Sequence, residues 1–160
     1  MACRVRPATA GDLSALCALL GELFSIEADF QPDPARQGVA LERLLQRPQQ
    51  ALVLVAEDGG AVCGMCTAQL LISTAEGGEA ALVEDVVVRH DRRGSGIGSA
   101  LLDALEAWCS ARGITRLQLL ADTANAPALA FYRRRGWQTT QLQAWRRYLM
   151  PLSAETSRCS

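Results

Sequence analysis

The stretch RRGSGIGSALL, residues 92–102, joins an apolar run to the start of an amphipathic helix. Its glycines, Gly94, Gly96 and Gly98, stand where the helix begins, although glycine loses more backbone freedom on ordering than any other residue. A helix start presents unpaired N–H groups and the positive end of the helix dipole, which together favour an anion. The stretch therefore indicates a phosphate-binding turn, with a tight turn beside two solvated arginines as the alternative.

A dinucleotide-binding fingerprint fits this turn poorly. That fingerprint is G-x-G-x-x-G, followed about 20 residues later by an acidic residue. Here the last glycine falls one residue early, Ser99 stands where Gly or Ala is expected, and the later region TRLQLL carries no acid. We therefore disfavour a Rossmann-type site.

Composition limits the class of protein. A chain of 160 residues, with 49% hydrophobic and 21% charged residues, is typical of one globular domain. The net charge of −1 gives no overall field to attract nucleic acid or an anionic membrane. All 16 basic residues are arginine, which excludes a Walker-type phosphate loop and a Schiff-base lysine.

Location and thiol chemistry follow from the apolar runs and the cysteines. No run approaches the ~20 residues of a membrane span, and the amino terminus lacks the apolar region of a signal peptide. We expect a cytoplasmic protein whose thiols are reduced. Only Cys63 and Cys66 have a metal or redox spacing, and residues three apart on a strand point to opposite faces. We expect no metal site and assign both to buried packing.

Periodicity predicts an α/β chain with the order β-α-α-β-β-β-α-β-α-β(-β). The predicted helices cover 9–27, 34–48, 94–113 and 125–136, and the predicted strands cover 3–8, 51–58, 61–73, 79–89, 114–121 and 137–150. The EDGG turn indicates a hairpin between the second and third strands. Residues 1–150 are expected to form a single domain, and 151–160 a flexible tail.

Two motifs carry a resemblance to the GNAT family of N-acetyltransferases. RRGSGIGSALL resembles the family's acetyl-coenzyme A signature, Q/R-x-x-G-x-G/A, matched at Arg93, Gly96 and Gly98. NAPALAFYRRRGW, residues 125–137, is similar to its N-x-x-A-x-x-F-Y-x-x-x-G-F segment, with Trp137 in place of Phe. The element order over 3–150 also follows the family's order. The resemblance implies the family's acyl-CoA N-acyltransferase fold, a mixed, mostly antiparallel sheet of six to seven strands with helices on both faces.

The resemblance also implies a site for acetyl-CoA as co-substrate. In the family, the strand before the glycine turn splays from its neighbour at a bulge, and the pantetheine arm bonds to its backbone. The pyrophosphate is held by backbone amides of the turn, and an asparagine on the following helix contacts the cofactor. These roles correspond to Val86, Val87 and Val88 for the arm, Arg93, Gly94, Ser95, Gly96, Ile97, Gly98 and Ser99 for the pyrophosphate, and Asn125 for the later contact.

Two residues are the catalytic candidates. Tyr132 matches the family's general acid, because a phenol with a pKa near 10 stays protonated at pH 7 and can donate to the leaving thiolate. The alternative is aromatic packing with Phe131 and Trp137, although we expect adjacent Phe131 and Tyr132 to point in different directions. Glu84 is the candidate base, because an idle acid would be costly to bury in an apolar strand. Asp85 is expected on the opposite face of that strand, and becomes the candidate if the register differs by one.

The acceptor site is assigned to the loop after the first helix. Phe24, Glu27 and Asp29 would suit a cationic amine through charge pairing and cation–π contact, and a solvated acidic loop is the alternative. The run EDVVV also resembles the diamine (spermidine/spermine) acetyltransferase branch, whose catalytic glutamate aligns with Glu84. This favours a small-molecule amine, including a di- or polyamine, over a protein or peptide amine.

The sequence therefore predicts an acetyl-CoA-dependent N-acetyltransferase that transfers the acetyl group directly in a ternary complex. The alternative of a different class is a non-catalytic acyl-CoA-binding regulatory domain, which would need neither Tyr132 nor Glu84. The run YRRRGW, residues 132–137, is the one hint of nucleic-acid binding and lacks a wider basic face. We expect no nucleic-acid or membrane partner, and a homodimer in which the alternating run LQAWRRYLM lies at a sheet edge.

Overall fold

The computed structural model describes residues 3–27 and 29–149, so the predicted tail at 151–160 lies outside the described residues. The chain divides into two compact units between Asp122 and Thr123. The first unit holds a sheet and the first three helices. The second holds one short helix and the residues after it.

The strands of the first unit form one mixed sheet. Neighbours follow sequence order from β1 to β5; the first four are antiparallel, and β5 is parallel to β4. The strands are β1 (Arg4–Pro7), β2 (Ala51–Asp58), β3 (Ala61–Ser73), β4 (Gly78–Val88) and β5 (Leu117–Leu119). Two residues join β2 to β3, which confirms the predicted hairpin.

The predicted sheet of six to seven strands is too large. Five strands are present in the described residues, and 137–149 contains none. The β5 strand is also shorter than the predicted 114–121. Alternating side chains give a segment one apolar face, but a strand also needs a neighbouring backbone to satisfy its N–H and C=O groups.

The helices begin and end close to their sequence signals. They are α1 (Leu13–Ile26), α2 (Pro34–Leu45), α3 (Ile97–Ser110) and α4 (Ala126–Arg134). The side chain of Asp33 accepts a hydrogen bond from the N–H of Arg36 at the start of α2, and α2 ends at Leu45, before Pro48, which cannot continue a helix. Within the described residues, no helix has the length and apolar character needed to cross a membrane.

Helices cover both faces of the sheet, as predicted. On one face, buried Leu16 of α1 and Leu41 of α2 belong to one core cluster with Val55 and Met65 of the sheet. Each such side chain contributes about 1.5–3 kcal/mol when fully buried. On the other face α3 approaches so closely that a Cβ added to Gly64 of β3 would lie 3.1 Å from the side chain of Ile97. The sheet thus fixes both α1 and the start of α3.

The second unit is built on α4. Residues 137–149 follow the helix without regular secondary structure. Three large apolar side chains of this segment are 83%, 92% and 87% exposed, namely Leu142, Trp145 and Leu149. The sequence predicts apolar side chains along this segment, and they are present. No strand of the described chain pairs with it.

Candidate active site

A β-bulge interrupts β4 in its last third. Asp85 and Val86 of β4 stand against Cys66 alone on β3. Asp85 has a φ of +54° and is the one non-glycine residue of the described chain with a positive φ. Aspartate tolerates this left-handed conformation better than most residues, but glycine is usual at such a bulge.

Beyond the bulge, β4 runs without a strand on its β5 side. The last parallel pair joins Val83 to Leu119, whereas β4 continues to Val88. No described strand pairs with residues 84–88 on that side, so their backbone groups form an open edge. An extended ligand can hydrogen-bond to such an edge as an added strand does. This edge contains Val86, Val87 and Val88, to which the resemblance assigns the pantetheine arm.

The glycine turn leads from this edge to α3. Gly94 and Gly96 have φ values of +74° and +84°, and Gly96 directly precedes the helix. A Cβ at either position would meet open space, so the backbone angle rather than crowding favours glycine. No side chain caps the start of α3. The first N–H groups of the helix, from Ile97 to Ser99, therefore suit an anion.

The arginines beside the turn are already engaged within the protein. Arg92 forms an ion pair with Asp58 at 2.7 Å. Arg93 donates from Nε to the carbonyl of Val88 at 3.0 Å, and its Nη2 lies 3.8 Å from a carboxylate oxygen of Glu22. These contacts tie the turn to the sheet and to α1. The pyrophosphate role of Arg93 stays a prediction.

The bulge changes where the two adjacent acids point. Thr67 is opposite Glu84 in the ladder, and its Oγ1 lies 3.2 Å from Oδ2 of Asp85. The expectation that Asp85 lies on the opposite face is therefore wrong, because the extra residue turns its side chain toward Thr67. The argument that Glu84 is buried is also wrong, since Glu84 is exposed. Glu84 and Asp85 therefore lie next to each other, beside Thr67 of β3.

Several carboxylates share this region. The pKa of Asp85 is raised to about 6, mainly by burial and also by the negative charges of Glu84 and Glu27, whereas the hydrogen bond with Thr67 lowers it. Burial also raises the pKa of Glu27, as do the charges of Asp122, Asp29 and Glu84. The loop after α1 thus brings its acids close to the bulge. This negative field favours a cation.

Aromatic rings accompany the acids of this loop. The ring centroids of Phe24 and Phe30 are 5.4 Å apart. Phe24 packs against the core cluster below α1 and α2, and Phe30 and Asp29 are exposed. The structure therefore brings Phe24 close to Phe30 and Glu27 close to Asp29, and their role as an acceptor site stays a prediction.

The second unit holds the other two predicted site residues. Asn125 caps α4, since its Oδ1 accepts a hydrogen bond from the N–H of Ala128 at 3.2 Å. The ring of Tyr132 lies 5.3 Å from that of Phe131 and 5.9 Å from that of Trp137, measured between centroids. Phe131 and Tyr132 therefore do not diverge as expected. These contacts hold the orientation of the Tyr132 ring within α4, and its role as acid stays a prediction.

Two residues of this region escaped the sequence analysis. Thr67 is 1% exposed in the middle of the sheet, and a hydroxyl in the middle of an apolar run is a signal that could have identified it. Glu22 accepts a hydrogen bond from the N–H of His90 at 3.0 Å. Nothing in its local sequence distinguishes Glu22 from an ordinary solvated acid on an amphipathic helix.

The acetyltransferase (GNAT) family matches this chain over residues 15–137, a span that includes the bulge, the glycine turn and α4. The chain belongs to the GNAT family. This confirms the resemblance and the acyltransferase fold. The family's co-substrate is acetyl-CoA.

Individual relatives agree with this membership. Mycothiol acetyltransferase of Clavibacter michiganensis is 41% identical over 85 residues, which cover 52% of this chain and 26% of that protein. The chain thus spans about a quarter of the length of that relative. A predicted acetyltransferase from Clostridium acetobutylicum, solved with acetyl-CoA, has a TM-score of 0.75 at 18% identity, covering 91% of this chain and 96% of its own.

A third similar protein is an aminoglycoside acetyltransferase from an uncultured soil metagenomic sample, solved with sisomicin. It has a TM-score of 0.74 at 21% identity and covers 92% of this chain and 96% of its own. At these identities the two solved structures show the fold alone.

Proposed function

We propose that the protein transfers the acetyl group of acetyl-CoA to the amine of a small cationic molecule. One observation carries the proposal: the open edge of β4 at 84–88 begins at two adjacent acids, Glu84 and Asp85, and leads into the glycine turn before α3. A thioester site and a proton-accepting site thus adjoin on one strand.

The co-substrate supplies an acetyl group activated as a thioester. Its pantetheine arm fits the edge of β4 at Val86, Val87 and Val88, which no described strand covers, and its pyrophosphate fits the uncapped N–H groups at the start of α3. Asn125 belongs to the same proposal through the family's motif. At the turn and the start of α3, the chain contributes backbone groups rather than side chains. This role is consistent with the positive φ values of Gly94 and Gly96.

The acceptor is a small amine, and a di- or polyamine fits best. Support comes from the acids Glu27, Asp29, Glu84 and Asp122, which lie close enough together for three of them to raise the pKa of Glu27. An ammonium group among them would gain attraction from each carboxylate. The rings of Phe24 and Phe30 beside them offer cation–π contact.

The reaction needs one group to accept a proton and one to donate it. A protonated amine must lose a proton before it attacks, and the carboxylates of Glu84 and Asp85 are the candidates. Tyr132 is proposed to donate a proton to the departing sulfur. Direct transfer is supported by the burial of Cys66, which raises the pKa of its thiol to about 12 and makes it a poor acyl carrier.

We also propose that the protein is a homodimer. Leu142, Trp145 and Leu149 are exposed in the segment after α4, and a second copy that covers them would remove this apolar surface from water. Light scattering coupled to size exclusion tests this. The variant Trp145→Ser should shift the mass toward the monomer, and an unshifted dimer would place the interface elsewhere.

The experiment that tests the activity is acetyl transfer across a panel of polyamines, diamines, aminoglycosides, amino acids and peptides, with products measured by mass. Turnover of small cations is expected. Tyr132→Phe should lower kcat, while Glu79→Gln, an exposed change on β4, should not. Turnover of peptides or neutral amines alone would refute the cationic acceptor and keep the enzyme. Binding of acetyl-CoA without turnover of any amine would favour a regulatory domain.

A further inference from the structure

We propose that Asp85, rather than Glu84, takes the proton from the acceptor amine. The inference rests on the proposed acetyl transfer and names the base of that reaction. It goes against the assignment of Glu84 that the strand pattern and the family resemblance both favour. It depends on the bulge, on the Thr67 hydroxyl and on the charges around them.

The bulge shows that the carboxylate is placed at some cost to the backbone. Asp85 occupies the left-handed region at φ +54°, where glycine would be less strained. Glycine would be sufficient for a residue that only had to form the bulge. The side chain at this position is partly buried and lies against Thr67, whereas Glu84 extends into solvent. The chain therefore retains a strained carboxylate at the point where the open edge of β4 begins.

Thr67 gives this carboxyl group a hydrogen-bond partner whether the group is ionised or protonated. Its Oγ1 lies 3.2 Å from Oδ2 of Asp85 and 3.2 Å from the carbonyl oxygen of Glu84. When Asp85 is ionised, the Thr67 hydroxyl donates to it. When Asp85 is protonated, it can donate to Oγ1 while the hydroxyl donates to the Glu84 carbonyl. The carboxyl group of Asp85 thus keeps a partner in both protonation states, as a base that cycles between them requires.

The charges around Asp85 suit a proton acceptor near neutral pH. Glu84 on the same strand and Glu27 after α1 are both acidic, and burial together with these charges raises the pKa of Asp85 to about 6. Cys66, which stands against the bulge on β3, is a neutral thiol, since burial and the charge of Asp85 raise its pKa to about 12. A general base works best when its pKa lies near the operating pH.

The proton balance of the transfer is complete. Asp85 takes one proton from the acceptor ammonium, and the freed lone pair forms the C–N bond as the C–S bond breaks. The leaving sulfur takes up the second proton lost by the nitrogen, a step for which the family resemblance proposes Tyr132. Asp85 then returns its proton to water. Glu84 and Glu27 stay ionised and hold the positive charge of the acceptor.

The test is the dependence of kcat/KM on pH for the amine that the wild-type enzyme turns over fastest. Only ionised Asp85 is active, so wild-type activity should rise with pH through an inflection near 6, the value to which the pKa of Asp85 is raised. Asp85→Asn should abolish this rise, which is the acidic limb of the profile. It should also lower kcat by about 10²–10⁴-fold, the range for losing a general base. Glu84→Gln removes a negative neighbour, so it should keep the limb, move it to lower pH and act mainly on KM.

Two further variants separate catalysis from folding. Asp85→Gly fits the positive φ, so it should keep the wild-type unfolding temperature and affinity for coenzyme A while losing activity as Asp85→Asn does. Thr67→Val removes a hydrogen bond that favours the ionised form, so the limb should move to higher pH. Glu79→Gln on the same strand is the matched control and should leave the profile unchanged.

The outcomes separate this inference from the proposed function. If the wild-type enzyme acetylates no amine, the proposed function fails. If it is active and Asp85→Gly or Asp85→Asn keeps the acidic limb, Asp85 is not the base. A loss of the limb in Glu84→Gln, with Asp85→Asn active, would assign the role to Glu84 instead.

Discussion

The carboxylate of Glu22 on α1 accepts a hydrogen bond from the backbone N–H of His90 at 3.0 Å. The same carboxylate oxygen lies 3.8 Å from Nη2 of Arg93. The helix that leads to the proposed acceptor loop is thus joined directly to the chain that precedes the glycine turn. Within the first unit, Glu22 thus connects the proposed acceptor loop with the proposed pyrophosphate-binding turn.

Removal of this connection should weaken binding of the co-substrate. Glu22→Ala should raise the Kd for coenzyme A about twofold to tenfold, because one hydrogen bond contributes a net of about 0.5–1.5 kcal/mol. Glu22→Gln should have a smaller effect, since its amide oxygen still accepts from His90. Titration calorimetry measures both affinities. The control is Glu42→Ala, a change at an exposed residue of α2. Equal affinities in all three would mean that the loop holds its shape without Glu22.

Sequence patterns predicted most elements because local chemistry sets their limits. Asp33 and Pro48 bracket α2, and the two-glycine turn fixes the register of β2 and β3. The family motifs located the glycine turn and α4 for the same reason, since each depends on a few adjacent residues. Such signals need no knowledge of distant contacts.

The errors arose where a distant contact decides the outcome. The bulge at Asp85 depends on a register shift against β3, and an aspartate at that position gives no glycine signal. The ion pair of Arg92 with Asp58, at the end of β2, likewise joins residues that are far apart in the sequence. The strand prediction over 137–150 was wrong for a similar reason in the described residues. An alternating pattern does not specify which backbone will pair with it.

Gly96 should not tolerate a side chain, although there is room for one. Its φ of +84° would cost alanine roughly 1–2 kcal/mol, so Gly96→Ala should lower the free energy of unfolding by about that amount and raise the Kd for coenzyme A. Gly21→Ala is the matched control. It lies inside α1 with nothing within 4 Å of a new Cβ, and should stabilise the protein by about 0.5–1 kcal/mol. Urea unfolding of the two variants checks the opposite signs, and equal shifts would contradict this prediction.

The ion pair of Asp12 with Arg6 should make stability depend on acid pH. The two side chains contact at 2.8 Å, and Asp12 also accepts from the N–H of Thr9 at 2.7 Å. The hydrogen bond from Arg6 is the main cause that lowers the pKa of Asp12 from 3.8 to about 2. A lowered pKa stabilises the folded state above the ordinary value, and the contribution disappears as pH falls from about 4 to about 2.

Asp12→Asn should therefore lower the free energy of unfolding at pH 7 by roughly 2 kcal/mol. The wild-type protein should lose this advantage over the variant between pH 4 and pH 2, a window set by the two pKa values of Asp12. Unfolding in urea at several pH values measures the difference. Glu42→Gln, an exposed change on α2, is the control. A difference that stays constant across that window would show that the charge of Asp12 is not responsible.

Gly64 on β3 should be the glycine most sensitive to added volume. A Cβ there would lie 3.1 Å from Cγ2 of Ile97, 3.2 Å from Cδ1 of Leu101 and 3.2 Å from the carbonyl oxygen of Val87. The side chains can shift a little, but the carbonyl belongs to the ladder between β3 and β4 and cannot. Gly64→Ala should therefore destabilise the protein by about 1–3 kcal/mol, as overpacking of a core does.

The same variant should also affect the proposed site, because Ile97 begins α3. Displacement of α3 from the sheet would move the N–H groups proposed to hold the pyrophosphate, so the Kd for coenzyme A should rise together with the loss of stability. Gly78→Ala is the matched control, since it lies at the start of β4 with nothing within 4 Å of a new Cβ. Thermal unfolding and calorimetric titration of both variants measure the two effects. Normal coenzyme A affinity in a destabilised Gly64→Ala protein would show that the sheet accommodates the methyl group without moving α3.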